Sequence, residues 1–398
     1  MGGSKNLCIY CKGGKNLCGL SKCPLLGRLN IQPKVELKFK KEFFGPSTSI
    51  FVGHKGYPKV FTGAVAALNF KDILDKPPNW FGMDYSKIIE LRSSALRTKQ
   101  SEHIKSKSKL IEDNKLIAMS SSPVEIESKF KKIPEFKFSF EDISNPFGAS
   151  AILEEMKITS NVKIPHQVEY VLNDEINSVE QISILSKSFD NYYLSNLLSS
   201  GAMGNKVHQK MVPTRWSITA VDDILARQLM KNIRTFKEIE KFMVFESKFL
   251  FNQFVILLMP GKWEYEDFEA WEPGSFWSSE LKESHIVEEY EPYEGRTSYA
   301  EKEGGGYYAT RLPVCEYLNS IKRQARVVVF REIYKEYVIP VGVWQCRENV
   351  RNAFKHKPLI FQNIDDALSY CHTKLRFNLN NYLKISKILR QKRIFDFN

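Results

Sequence analysis

The chain has 398 residues, 43% of them hydrophobic and 13% aromatic, and a formal net charge of +12. This composition supplies enough apolar material for two or three folded domains and excludes a disordered protein. The longest uninterrupted apolar run, FVILLM at 254–259, is far shorter than the roughly 20 residues of a membrane span, so we expect a cytoplasmic protein without a membrane partner.

The charge is distributed unevenly along the chain. Residues 263–303 contain thirteen acidic and three basic residues, a net charge of −10, which leaves +22 for the rest of the chain. We expect a polyanion such as nucleic acid to be attracted to most of the surface and repelled from this segment. The alternative is that the lysine-rich loops serve solubility alone.

Four cysteines lie near the N-terminus, at Cys8, Cys11, Cys18 and Cys23, with the spacing C-x2-C-x6-C-x4-C. Four thiolates in short, glycine-separated pairs predict a structural zinc ion in a small module, residues 1–28. Disulfides fit poorly with the expected compartment, and an iron–sulfur cluster is the other alternative. The remaining three cysteines stand in apolar surroundings and are predicted to be core residues: Cys315, Cys346 and Cys371.

Residues 34–62 predict strands, because apolar and polar side chains alternate there and turn residues interrupt the pattern. Within FVGHKGYPKV (51–60), Gly53 and Gly56 flank His54 and Lys55. Exposed N–H groups in such a loop can hold a phosphate. The alternative is that this sequence forms a tight hairpin with glycine at positive φ. The residue spacing of a P-loop is absent.

From 166 to 200 the spacing is helical, and SGAMG ends the pattern as a helix stop. A basic loop, GNKVHQKMVPTRW (204–216), contains Arg215. A helix is predicted for SITAVDDILARQLMKNI (217–233). Thr219 and Asp222 are spaced as a capping box at its start.

The second half predicts a strand pair in 242–260, a helix that opens on Gly304–Gly306, and a strand in RVVVFREIY (326–334). Another strand is predicted in YVIPVGVWQC (337–346), followed by helices to about residue 390. Arg347 and Arg351 are spaced i, i+4, suited to phosphates or to ion pairs. Strands and helices interleave irregularly, which predicts a mixed α/β (α+β) body over residues 29–385, with two subdomains and a break near residue 200 as one possibility.

A phosphate-bearing ligand is a second hypothesis for this body. The glycine-rich and helix-start loops could converge on a nucleotide or an ADP-ribose-like molecule, because helix N-termini favour anions. The histidines lack a nucleophile–base signature, so no catalytic residue or reaction is assigned. The candidate ligand-binding residues are Gly53, His54, Lys55, Gly56, Arg215, Asp222, Gly305, Gly306 and Arg311.

The last residues, 386–398, form a basic and apolar peptide. Gln391, Ile394 and Phe397 are spaced by three, so one turn of 3₁₀ helix aligns them in a row that can enter a groove, with Phe395 beside them. The alternative is an element folded back onto the body. The peptide resembles the Q-x-x-hydrophobic-x-x-aromatic-aromatic motif that binds the sliding clamp, proliferating cell nuclear antigen (PCNA); Asn398 stands where the second aromatic residue is expected.

Together with the four-cysteine segment, several stretches make the whole chain similar to the archaeal NreA family of DNA-repair proteins. The resemblance implies that the chain takes part in the repair of damaged DNA, in contact with the clamp, and that it is nucleoid-associated. It implies no particular catalytic activity. The stretches that carry it are FVGHKGYPKV, VPTRWSITAVDD, GGYYATRLPVCEYL and VIPVGVWQCRENVR.

Overall fold

The computed structural model describes residues 7–11, 17, 40–67, 76–135, 148–278, 281–337 and 339–390. They divide between two units: the described residues of 26–225 form the first, and those of 1–25 and 226–398 form the second. None of the helices in these described ranges is long and apolar enough to cross a membrane.

The described ranges contain eleven strands and eleven α-helices. The strands are β1 (Glu42–Val52), β2 (Lys59–Ala67), β3 (Ala95–His103), β4 (Val124–Phe130), β5 (Ser150–Ile158), β6 (Phe242–Phe249), β7 (Asn252–Met259), β8 (Glu264–Trp271), β9 (His285–Glu291), β10 (Arg326–Ile333) and β11 (Leu359–Phe361). The helices are α1 (Leu7–Cys11), α2 (Tyr85–Ser93), α3 (Lys109–Met119), α4 (His166–Asn173), α5 (Ser178–Leu185), α6 (Asn191–Ser200), α7 (Thr214–Ile233), α8 (Gly305–Ser320), α9 (Trp344–Ala353), α10 (Ile364–Lys374) and α11 (Leu379–Leu383). The predicted mixed α/β organisation is confirmed.

Strands β1 to β5 close into a barrel in the first unit, in the order β1-β2-β3-β5-β4. All neighbouring strands are antiparallel except β3 and β5, which are parallel. The first half of β1 pairs with β4 and its second half pairs with β2. The register shifts between Ser47 and Ser49, and such a bulge bends a strand enough to join both neighbours.

The interior of the barrel is filled by every second residue of its strands. In β4, Val124, Ile126 and Phe130 are buried, while Glu127 and Lys129 between them are exposed. Helix α3 connects β3 to β4 and buries Ile111 and Ile117 in the same core. A five-stranded barrel with this strand order and a helix between the third and fourth strands has the topology of an OB-fold.

Helices α4, α5 and α6 form a second core beside the barrel in the first unit, with Val168, Ile182, Leu194 and Leu197 fully buried. As predicted from the SGAMG sequence, α6 ends on a left-handed residue, Gly201, at φ 78°. A side chain at this position would strain the backbone and approach Lys210.

The second unit is built on a six-stranded sheet with the order β11-β6-β7-β10-β8-β9. The pair β10–β8 is parallel and the other pairs are antiparallel. Phe268 and Phe330 pack against Tyr382 of α11 on one face of the sheet. Alternate residues of β8, including Tyr265 and Glu269, face α8 instead.

Two sequence expectations are wrong in the second unit. Residues 337 and 339–346 contain no strand, because Pro340 lacks the N–H of a ladder, Gly342 takes φ 100°, and α9 begins at Trp344. The acidic segment is also not mainly an acidic surface, because most of its carboxylates lie on β8, β9 and the turn before α8, where they contact basic and hydroxyl groups. Eight of them are buried: Glu264, Glu266, Asp267, Glu269, Glu288, Glu289, Glu291 and Glu303.

Candidate nucleic-acid interface

The outer side of β2 and β3 presents basic and aromatic side chains to solvent. On β2, Val60 and Thr62 point into the barrel, so Lys59 and Phe61 point outward and are exposed. Lys59 lies opposite His103, and Phe61 lies opposite Ser101 on the neighbouring strand. We call these four outward residues, the loop 53–58 and the exposed Lys105 just beyond β3 the β2–β3 face.

The loop 53–58 is a tight connection between β1 and β2. The N–H of Tyr57 donates to the carbonyl of His54 at 3.2 Å, and the N–H of Lys59 donates to the carbonyl of Gly56 at 3.0 Å. Gly56 takes φ 80°, which confirms the hairpin interpretation of this loop. The turn leaves Lys55 and Tyr57 exposed at the end of the barrel.

Trp216 joins this face because the start of α7 is anchored to β1. The N–H of Val52 donates to the Thr214 hydroxyl at 2.9 Å, and Thr214 and Ser199 share a hydrogen bond of 3.0 Å. Two residues further on, the Trp216 ring lies 5.1 Å from the Tyr57 ring, tilted by 54°. Both rings remain more than 40% exposed.

The two outer sides of the barrel differ in electrostatics. On the β4–β5 side, Lys129 pairs with Glu154 at 3.7 Å and Lys157 pairs with Glu155 at 2.9 Å. The hydrogen bond from Lys157 lowers the pKa of Glu155. Such a side is close to neutral.

The β2–β3 face carries unpaired cations. Among the described residues, no carboxylate pairs with Lys55, Lys59 or Lys105. β2 contains no acidic residue, and Glu102 of β3 lies in the inward phase, where it accepts hydrogen bonds from Gln100 at 2.8 Å and Ser108 at 3.1 Å. Within the described ranges, the face is therefore positive without a compensating carboxylate.

The basic loop predicted for 204–216 continues this surface. The N–H of Met211 donates to the carbonyl of Ile104 at 2.8 Å, just beyond the end of β3. The neighbouring Lys206 and Lys210 are exposed. The loop thus adds further positive charge beside Lys105.

Other sequence candidates in the first unit occupy less accessible positions. Gly53 is buried and His54 is half-buried at the start of the loop, and Arg215 is half-buried on α7. Asp222 is fully buried within α7. The predicted capping box is wrong, because the helix begins one turn earlier, at Thr214, and the Thr219 hydroxyl donates to the carbonyl of Arg215 at 3.2 Å.

The candidates around Gly304 belong to the second unit and lie inside it. Gly305 and Gly306 are buried at the start of α8, and a Cβ on Gly306 would stand 3.4 Å from Glu269 Oε2. Arg311 is 1% exposed and pairs with Glu291, which also accepts a hydrogen bond from the Tyr307 hydroxyl at 2.9 Å. Protein side chains therefore occupy the surroundings of this helix start.

This buried network contains carboxyl groups of altered acidity. Burial raises the pKa of Asp267 to about 7, although the Thr310 hydroxyl donates a hydrogen bond to it. Burial also raises the pKa of Glu266, on the opposite side of β8, to about 7. Arg331 of β10 donates to Glu269 of β8 at 2.6 Å and to the Asn252 side chain of β7 at 3.0 Å. These hydrogen bonds connect three neighbouring strands of the sheet.

Half of the predicted zinc ligands lie within the described ranges. Cys8 and Cys11 are three residues apart on α1, so both thiols lie within one helical turn, a spacing that suits two ligands of one ion. Cys18 and Cys23 lie outside the described residues. Within the described part of the chain, no group of three metal-binding side chains occurs.

The clamp-binding candidates Gln391, Ile394, Phe395 and Phe397 also lie outside the described residues. The chain that precedes them is well packed. Ile388 is 1% exposed in the core of the second unit, and Arg390 is exposed. The described chain therefore reaches the surface directly before the predicted peptide.

Comparison with known proteins places the chain in a family. The family model Archaeal Nre, N-terminal, matches residues 17–278, and Archaeal Nre, C-terminal, matches residues 291–397. The chain belongs to the archaeal Nre family. No solved structure matches this Nre chain significantly. The OB-fold topology of its barrel follows from the strand order and the position of α3.

Three curated relatives of this Nre chain are similar over nearly their whole length. DNA repair protein NreA of Archaeoglobus fulgidus is 38% identical over 91% of this chain and 92% of its own length. DNA repair protein NreB of the same organism is 35% identical over 98% and 99%. DNA repair protein NreA of Haloferax volcanii is 31% identical over 89% and 88%.

The boundary between the two Nre family models differs from the boundary between the two compact units. The models meet between residues 278 and 291, whereas the units divide after Leu225. Strands β6 to β8 match the N-terminal model, yet they form one sheet with β10, which matches the C-terminal model. The six-stranded sheet therefore requires both halves of the Nre sequence.

Two aromatic residues of the β2–β3 face, Tyr57 and Phe61, were not among the candidates from sequence. The available signal was the period of two in KVFTG, which places Lys59 and Phe61 on one side of a strand and Val60 on the other. The proximity of Trp216 to Tyr57 has no sequence signal, because 159 residues separate them along the chain.

Proposed function

We propose that this chain is a DNA-repair factor that contacts DNA through the β2–β3 face and attaches to the sliding clamp (PCNA) through residues 391–397. The names of the three relatives support the repair role. The two contacts are separate parts of the proposal, and each has its own test.

The observation that carries the DNA contact is the charge state of the β2–β3 face. Lys55, Lys59 and Lys105 have no carboxylate partner among the described residues, whereas the lysines on the other side of the same barrel are ion-paired. A lysine that binds a phosphate releases condensed counterions, and an unpaired lysine does not have to give up a carboxylate partner first. We expect DNA affinity to fall steeply as salt is raised; affinity independent of salt would contradict the proposal.

The clamp contact is supported by the sequence of the last residues and by the surface position of Arg390 before them. Burying Ile394 and Phe397 in a groove gives roughly 1.5 to 3 kcal/mol each before ordering costs, which corresponds to about micromolar affinity for the peptide. The motif therefore serves as a tether.

Size-exclusion chromatography of the chain with the clamp from the same organism tests this contact. Phe397→Ala should abolish co-elution and leave the melting temperature unchanged. Ile385→Ala is the matched control, because Ile385 is 40% exposed shortly before the motif. The tether is refuted if the Phe397→Ala protein still co-elutes with the clamp.

We also propose one structural zinc ion on Cys8, Cys11, Cys18 and Cys23. The one-turn spacing of Cys8 and Cys11 on α1 supports it. The Tyr10 hydroxyl lies 3.2 Å from Nε2 of His285, so α1 is also held against β9 within the second unit. Metal analysis should give one zinc per chain, reduced by Cys11→Ser; a protein purified without chelator that holds no metal would contradict this.

The alternative, an enzyme or sensor for a phosphate-containing molecule, remains a proposal for the loop 53–58 with Arg215. Of the remaining candidates for that ligand, Asp222 is fully buried within α7, and Gly305, Gly306 and Arg311 are buried in the other unit. A thermal-shift screen with nucleotides and ADP-ribose tests it. No stabilisation by any of them would count against such a ligand.

A further inference from the structure

Three aromatic side chains cluster at the β2–β3 face in spite of their cost to solubility. Tyr57, Phe61 and Trp216 are 43%, 48% and 44% exposed. Phe61 and Lys59 are two residues apart on the same side of β2, about 7 Å along the strand. The Tyr57 and Trp216 rings contact each other at the end of that strand.

The aromatic residues alternate with cations along the chain. The odd-numbered positions from 55 to 61 are alternately basic and aromatic: Lys55, Tyr57, Lys59 and Phe61. All four side chains are exposed. Such a surface offers flat faces for stacking and, between them, charges for a phosphate backbone. The Ser101 and His103 side chains opposite add hydrogen-bonding groups without negative charge.

This chemistry suits a single strand better than a duplex. Bases in a duplex are stacked on one another, so a protein reaches only their edges in the grooves and exposed aromatic rings gain little. In a single strand each base has a free face, and stacking on an aromatic side chain is tolerant of sequence. The β2–β3 side is also the side on which OB-fold barrels bind oligonucleotides.

We infer that the β2–β3 face binds single-stranded DNA, with bases stacked on Tyr57, Phe61 and Trp216 and phosphates held by Lys55 and Lys59. The inference rests on the proposed DNA contact and specifies its substrate. A repair factor with this face acts where a strand is exposed, next to a gap, a displaced strand or a processed end.

Fluorescence anisotropy of the full chain with a labelled 12-nucleotide single strand and a 24-base-pair duplex tests the inference. Phe61→Ala should weaken single-strand binding about 5- to 150-fold, because one stacked base is lost, and leave duplex binding unchanged. Phe44→Ala is the matched control, because Phe44 is a 70% exposed phenylalanine on β1 outside the face. It should change neither affinity.

The outcomes separate the two levels of the proposal. No measurable affinity for either DNA would refute the proposed DNA contact itself. If Lys55→Gln/Lys59→Gln weakens binding while Phe61→Ala does not, the DNA contact survives and the single-strand inference fails. Equal loss of single-strand and duplex binding in Phe61→Ala also overturns the inference, as does tighter binding of an RNA strand of the same sequence.

A second measurement needs no substitution. Trp216 is the one well-exposed tryptophan of six, so acrylamide quenching of the native chain reports mainly on this residue. A saturating single strand should reduce that quenching, and unchanged quenching at saturation would contradict stacking at this face. The other five tryptophans are at most 5% exposed: Trp80, Trp263, Trp271, Trp277 and Trp344.

Discussion

Replacing the unpaired lysines of the β2–β3 face tests the electrostatic basis of DNA binding. The double variant Lys55→Gln/Lys59→Gln removes two cations that have no carboxylate partner among the described residues. Each phosphate contact to a single strand contributes about 0.7 to the slope of log K against log salt, so the slope should decrease by about 1.4. Each contact is then worth about fourfold in affinity at 0.15 M salt, so the variant should bind about 15-fold more weakly.

The assay is a salt titration of single-strand affinity from 0.05 to 0.5 M, followed by anisotropy. Lys129→Gln/Lys157→Gln is the matched control, because it also removes two exposed positive charges, and both of these are ion-paired with Glu154 and Glu155. The control should change the slope little. The reasoning is refuted if both double variants lose the same slope, since net charge alone would then explain the effect.

Three further predictions concern the fold. Gly56→Ala should lower stability by about 1 kcal/mol in a thermal melt, because Gly56 has φ 80° and a Cβ there would stand 2.8 Å from the Lys59 carbonyl; unchanged stability would contradict the turn geometry. Arg311→Ala should cost about 3–5 kcal/mol in urea unfolding, because Glu291 is left as a buried charge, and adding Glu291→Gln should recover part of the loss; a loss below 1 kcal/mol would contradict the buried pair. Asp267→Asn should become more stable relative to the original chain as pH rises from 4 to 8. Burial raises the folded-state pKa of Asp267 to about 7, so the stability contributed by its protonated carboxyl group is complete below pH 4 and is lost as pH rises through 7. A stability difference between the two proteins that does not change with pH would contradict this.

Local features of the fold were predictable because their signals are local. The hairpin around Gly56, the left-handed end of α6 at Gly201 and the helix that opens at Gly305 follow from glycine positions and from the period of the side chains. The start of α7 was missed because Pro213 and Thr214 begin the helix one turn before the apparent capping box. The sequence contains two helix-start signals close together, one at Thr214 and one at Thr219. The hydrogen bond from the Val52 N–H to the Thr214 hydroxyl favours the earlier one.

The barrel and the buried acidic network were not predictable, because both depend on contacts between distant residues. Closure needs the parallel pairing of β3 with β5 across about 50 residues of sequence. The carboxylates of β8 and β9 suggest a repulsive surface by composition, and only the fold brings Arg311, Arg331 and Arg296 against them. Charge counts along a sequence do not distinguish a solvated acidic segment from a buried ion-pair network.

Part of the candidate site followed from sequence and part did not. The loop 53–58 with Lys55 was a candidate for phosphate binding, and it does present a cation to solvent. The aromatic partner Phe61 was missed, since an isolated phenylalanine in a strand is more often a core residue. Its outward position becomes evident once Val60 is known to fill the barrel.

DNA binding by the β2–β3 face is tested directly by photo-cross-linking the full chain to a single strand that carries a photoreactive thymine analogue. The cross-linked peptides are then mapped by mass spectrometry. We predict cross-links in peptides that contain residues 53–61, 99–105 and 213–217. Cross-links confined to the β4–β5 side of the barrel, or to residues 226–390, would contradict DNA binding by the β2–β3 face.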